Sequence, residues 1–168
     1  MFGMSRGAGL LAALTLAVVA FIVDQATKRL VEGSMRIGES IPALDGVLRF
    51  TYIKNPGGAF GILDGSQLVL VIGSFVAVAA VLWMLLAGPP SRLTVLGCGL
   101  ILGGAAGNLF DRLTAGEVTD YLDLQFWPLE SWPIFNAADT AIVVGVIALL
   151  LSTLLPQRFS ETQSESKG

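Results

Sequence analysis

The sequence predicts an all-α polytopic membrane protein, with four transmembrane helices and a small extracytoplasmic β-sheet in the first long loop. Three observations carry this. Of 168 residues, 54% are hydrophobic and only 14% are charged, against about 25% charged in a typical soluble domain. Mean hydropathy is +0.74, which leaves too little polar surface to cover a soluble globule. Four long runs carry no charge at all. Each has enough residues to cross the hydrocarbon core, which takes ~17–25 in a helix. In lipid each must be helical, because only a helix satisfies its own backbone there. The length fits one unit, read as a single membrane-embedded domain over residues 1–168.

The first run covers residues 7–23, between Arg6 and Asp24. The second covers 65–91, of which 68–87 suffices to span. The third, 93–110, lies between Arg92 and Asp111, and the fourth, 140–157, between Asp139 and Arg158. Gly88-Pro89-Pro90-Ser91 forms the short turn before the third span, since proline cannot continue a helix. Residues 158–168 make a polar tail. In the first loop, Leu48, Phe50 and Tyr52 alternate with Arg49 and Thr51, a strand pattern. Asn55-Pro56-Gly57-Gly58 then reads as a turn, with an apolar return over residues 59–63.

The counts exclude much chemistry. There is no histidine, so Ser-His-Asp, Cys-His and His-containing metal sites are excluded. The single cysteine, Cys98, lies in an apolar run and reads as a small buried hydrophobe. A net charge of −3 makes no electrostatic case for nucleic acid. An enzyme built from this chain must work with carboxylates, Lys, Ser/Thr, Tyr or a bound metal. Lys28 and Lys54 could serve a Ser-Lys peptidase, but no serine stands out as their partner.

Four spans place both termini on one side of the membrane. Eleven of the thirteen acids fall on the other side, with Asp24, Asp64, Asp111 and Asp139 at span ends. A transporter with a proton relay would put its acids at mid-membrane instead. Four cations lie on the terminus side and six opposite. That count favours termini outside, yet the rule weakens for a long folded loop, while Arg6 and Arg92 flank spans closely. Charge alone leaves both orientations open.

The third span contains Gly99, Gly103 and Gly107, a spacing that lets another helix approach closely. Asn108, Asp111 and Arg112 follow at i+3 and i+4, sharing one helical face. Asn136 and Asp139 face one way at the entrance of the fourth span. Asp120 sits among apolar and aromatic residues, before Trp127-Pro128 and Trp132-Pro133, which suit a membrane interface. Two carboxylates sharing a site cannot both ionise easily: one keeps its proton as an acid while the other is a base towards water.

Five blocks, in order, resemble the lipoprotein signal peptidase (signal peptidase II) family. They are Asp24-Gln25-Ala26-Thr27-Lys28, Asn55-Pro56-Gly57-Gly58-Ala59-Phe60, the stretch from Gly103 to Arg112, Val118-Thr119-Asp120-Tyr121, and Phe135-Asn136-Ala137-Ala138-Asp139. Each is weak alone; together they span most of the chain. Pro56 and Gly58 stand where the family's block commonly reads differently. The resemblance implies an aspartic endopeptidase of the bacterial inner membrane. It would cut diacylglyceryl-modified prolipoproteins just before the lipidated cysteine, with cytoplasmic termini and an outward-facing site. It assigns Asp120 and Asp139 as the catalytic pair. Asn55, Asn108, Arg112 and Asn136 match the polar residues around the site, and Asp24, Lys28 and Asp111 match supporting positions. It implies no metal and no cofactor. The expected partners are lipid-modified prolipoproteins and membrane lipid, with the chain acting as a monomer.

Overall fold

The computed structural model describes residues 4–57, 67–87 and 90–155. Its elements run α1 (Arg6–Ser34), β1 (Ser40–Leu44), β2 (Leu48–Asn55), α2 (Gln67–Ala87), α3 (Arg92–Thr114), β3 (Val118–Leu124) and α4 (Ala137–Leu154). All four helices are long and apolar enough to span a membrane.

Three helices pass charges that bound the uncharged runs: α1 runs past Asp24, α3 past Asp111, and α4 begins before Asp139. The 29 residues of α1 extend about 44 Å, beyond a ~30 Å hydrocarbon core. A charge ends what lipid tolerates, but it does not end a helix, and no glycine or proline interrupts α1 between Asp24 and Gly33. Asp24 therefore lies within a continuing helix rather than at its end. The dipole penalty expected for an anion at a helix C-terminus does not apply to it. The fourth helix starts earlier than the uncharged run, at Ala137, because Asn136 and Asp139 cap it reciprocally.

The hub is α3. Of its apolar window 61% is enclosed, against 17% or less for the other three helices. Lipid gives apolar side chains little reason to leave it, so helices associate by close backbone approach. Glycine permits this on two faces of α3. A Cβ on Gly99 would sit 2.8 Å from the carbonyl oxygen of Ala13, and one on Gly103 2.6 Å from Cβ of Ala20, both on α1. On the other face, Gly97 packs against Gly145 and Gly104 against the carbonyl of Ala138, both on α4. The α3 N-terminus is capped by Ser91, whose hydroxyl accepts from the Thr94 amide at 3.1 Å.

The sheet is antiparallel, in the order β1-β2-β3. The sheet is not confined to the first loop, where the sequence predicts it. In fact its third strand, β3, comes from the connection between α3 and α4, and carries Asp120. The expected return over residues 59–63 lies outside the described residues. β1 contains Pro42, which is tolerated on an edge strand. A register shift between Phe50 and Ile53 sets Asn55 opposite Val118 and Ile53 opposite Asp120. Asn55 is thereby diagonal to Asp120, within side-chain reach. The sheet is tied to the extension of α1: Lys54 Nζ and Thr119 Oγ1 both donate to Glu32 Oε1, at 2.8 and 2.5 Å. Tyr121 also donates its hydroxyl proton to Thr27 at 2.8 Å.

Candidate active site

Four elements bring the polar residues together. Asp120 and Asp139, nineteen positions apart, face one cavity of about 520 Å³, whose wall also includes Asn55, Asn108 and Arg112. Asp120 comes from β3. Its Oδ2 accepts from Asn55 Nδ2 at 2.7 Å, and its Oδ1 from Asn136 Nδ2 at 2.7 Å. Asp139 is the N3 residue of α4. Its Oδ1 accepts from Asn108 Nδ2 at 2.7 Å, and its Oδ2 from the Asn136 backbone amide at 3.2 Å. Every carboxylate oxygen of the pair therefore faces an amide N–H, an obligatory donor.

Asn136 is the bridge. Its backbone serves Asp139, its side-chain nitrogen serves Asp120, and its Oδ1 accepts from the Asp139 amide at 3.0 Å. Asn136 is fully buried and Asp120 is 2% exposed. Burial raises the Asp120 pKa to about 6; the bonds from Asn55 and Asn136 oppose that rise, and the negative charge of Asp139 adds to it. Asp120 is thus held well above the usual carboxylate range. Arg112, in the last turn of α3, donates from Nη1 to the Asn108 carbonyl at 3.3 Å.

Beneath the pair lies a buried ion cluster. Lys28 Nζ is 2.8 Å from Asp24 Oδ2 and 2.6 Å from Asp111 Oδ2. It also donates to Asn108 Oδ1 at 2.9 Å. Asp24 Oδ1 accepts from the Ala138 backbone amide at 3.0 Å, pinning the first turn of α4. All nine residues singled out from sequence thus meet in one network or around one cavity. Sequence reasoning passed over Gln25, although it lies in the first resembling block. Its amide bridges Asp24 Oδ2 and Asp111 Oδ1, at 3.2 and 2.8 Å. The role of Ala138 is carried by its backbone and leaves no side-chain signal.

Apart from Thr140, the rest of the cavity is apolar. Leu129, Trp132 and Phe135 line it from the β3–α4 connection, and Ile142, Val143 and Val144 from α4. A polar rim thus meets an apolar wall that runs along a membrane-spanning helix.

The family model for signal peptidase (SPase) II matches residues 16–155. The chain belongs to the signal peptidase II family. It is 40% identical over 146 residues to a lipoprotein signal peptidase of Desulfitobacterium hafniense, covering 86% of this chain and 93% of that protein. It is 41% identical over 152 residues to one from Halalkalibacterium halodurans, covering 90% and 97%. A bacterial membrane enzyme solved by the in meso method at 2.3 Å resolution superposes with a TM-score of 0.78. It is 29% identical, over 100% of this chain and 99% of that one. Membership makes this chain a multi-pass membrane endopeptidase of the aspartic class that processes prolipoproteins.

Proposed function

We propose that Asp120 and Asp139 are the water-activating pair of this peptidase, and that the bond cut precedes a lipidated cysteine. The observation that carries this is Asn136, which donates to both carboxylates and locks them to one cavity. One carboxylate takes a proton from water as the water attacks the scissile carbonyl. The other, protonated, gives its proton to the carbonyl oxygen; as the resulting diol collapses, that proton returns to it and the proton taken from water passes to the departing amine. The pair titrates as a unit, so the single proton belongs to both. Asn55 and Asn108 hold the two acids from their outer sides, and Arg112 is placed at the cavity wall to hold a carbonyl of the substrate.

The apolar wall along α4 suits acyl chains that stay in lipid while the peptide crosses the polar rim. Membrane lipid is thus both solvent and route. The termini face the cytoplasm and the site faces outward, in the inner membrane, with the chain acting as a monomer. On the site side Arg49 and Lys54 lie in the sheet and Lys28 is paired with Asp24 and Asp111, so these cations carry little topological weight, while Arg6 and Arg92 flank spans on the terminus side. The test is cleavage of a lipidated precursor by purified protein. Asp120→Asn and Asp139→Asn should each abolish it while still inserting and folding, and the double variant should be scarcely worse than either single one. Near-normal cleavage by either single variant sinks the assignment.

A further inference from the structure

We propose that Lys28 is a positioning residue for the carboxylate pair: its buried ammonium holds the Asn108 amide in the one orientation that aims N–H at Asp139. The inference rests on Asp120 and Asp139 being the catalytic pair.

Lys28 forms ion pairs with Asp24 Oδ2 and Asp111 Oδ2 and donates to Asn108 Oδ1. An ammonium only donates, so the Asn108 atom facing it must be the oxygen. That oxygen also accepts from Asn136 Nδ2 at 3.1 Å. Both of its lone pairs are then used, and the amide nitrogen is left to Asp139 Oδ1. Without the ammonium, only the bond from Asn136 opposes Asn108 turning over and presenting its oxygen to the carboxylate. Asp139 would lose a donor and gain a repulsion. The same ammonium neutralises Asp24, whose other oxygen holds the amide of Ala138, next to Asp139. One cation therefore secures Asp139 through a side chain and through the backbone. Lys28 is 3% exposed and is absent from the wall of the substrate cavity, so it acts through other groups rather than on the substrate.

The charged groups around Asp139 are Lys28 and Asp24 on α1, Asp111 and Arg112 on α3, and Asp120 on β3. Removing Lys28 alone leaves two buried anions uncompensated, and that variant risks misfolding. Lys28→Gln combined with Asp111→Asn keeps the cluster at the same net charge while removing the ammonium, and it is measured beside Lys28→Met. Cleavage of a lipidated precursor is followed across pH, with thermal unfolding in detergent as the folding control.

In whichever variant folds, kcat should fall by about tenfold or more, with KM within about twofold. The pH limb set by the carboxylate pair should move to higher pH. A folded variant with wild-type kcat overturns the proposal, even if it melts earlier. So does a drop in kcat with an unmoved limb, because packing alone would then explain it. Wild type and Asp139→Asn are run alongside: cleavage by Asp139→Asn would remove the catalytic pair itself and this inference with it. Inactive Asp139→Asn beside a fully active Lys28 variant would remove only this inference.

Discussion

Arg112 shows how one residue type is chosen by geometry. A cation is welcome in the last turn of any helix, and such a cap is worth about 0.3–1 kcal/mol. Yet Arg112 also stands in the cavity wall with Asp120 and Asp139. Arg112→Lys keeps the charge and loses the planar fork. It should lower the cleavage rate about tenfold, or ~1.4 kcal/mol, with little change in melting temperature in detergent. A wild-type rate would reduce Arg112 to a helix cap. Asn55 makes a second test at this scale. Its bond holds the ionised form of Asp120, whose pKa burial has already raised to about 6. Removing a donor to a charged group costs ~1.5–3 kcal/mol, so Asn55→Ala favours the protonated acid. The Asp120-dependent limb of the pH–rate profile should move up by roughly one pH unit. A limb that stays put, or moves to lower pH, would show that Asn55 does not act through Asp120.

At the scale of elements, α3 is the piece the others are built around. Gly97, Gly99, Gly103 and Gly104 each face a backbone carbonyl of α1 or α4, which cannot yield as a flexible side chain would. Gly103→Leu drives a side chain into Ala17 and Ala20 of α1. Overpacking of this kind costs about 1–3 kcal/mol or more, and thermal unfolding in detergent should show a clear drop. Gly73→Ala on α2 meets open space and should leave the melting temperature unchanged or slightly higher, since alanine is the better helix former. A similar loss at both positions would mean that the close helix contact at Gly103 does not set the effect. Gly107 has a further consequence: a Cβ there would strike the Asp24 carboxylate, so Gly107→Ala should reduce activity as well as stability. Packing and chemistry share a residue at that point.

For the whole molecule, the cavity combines a polar rim with a wall of span residues. Each acyl CH₂ kept in an apolar setting is worth ~0.8 kcal/mol, enough to dominate what a short peptide contributes. A precursor lacking the lipid should therefore be a very poor substrate at equal concentration; equal rates would refute entry along α4. The chemistry assigned to the pair also predicts an inhibitor profile. Serine- and cysteine-directed reagents and chelators should leave cleavage intact. Loss on adding a chelator, with recovery on adding metal, would recast the two aspartates as ligands.

Periodicity and charge were enough to determine the four spans, because lipid tolerates a long uncharged helix and little else. Local spacing was enough for the Asn136–Asp139 cap and the Lys28–Asp24 pair, three and four residues apart. The ordered blocks pointed to Asp120 and Asp139. Tertiary structure alone decided what those residues do to one another. Asn108 is 80 residues from Lys28, and Ala138 is 114 from Asp24; no local pattern encodes either bond. It also decided that the sheet takes its third strand from the second loop, since a strand pattern reveals its faces but not its neighbour. The continuation of α1 past Asp24 belongs here too. A buried carboxylate inside a helix is tolerable only when Lys28 and the Ala138 amide meet it, and those partners arrive only with the packed helices.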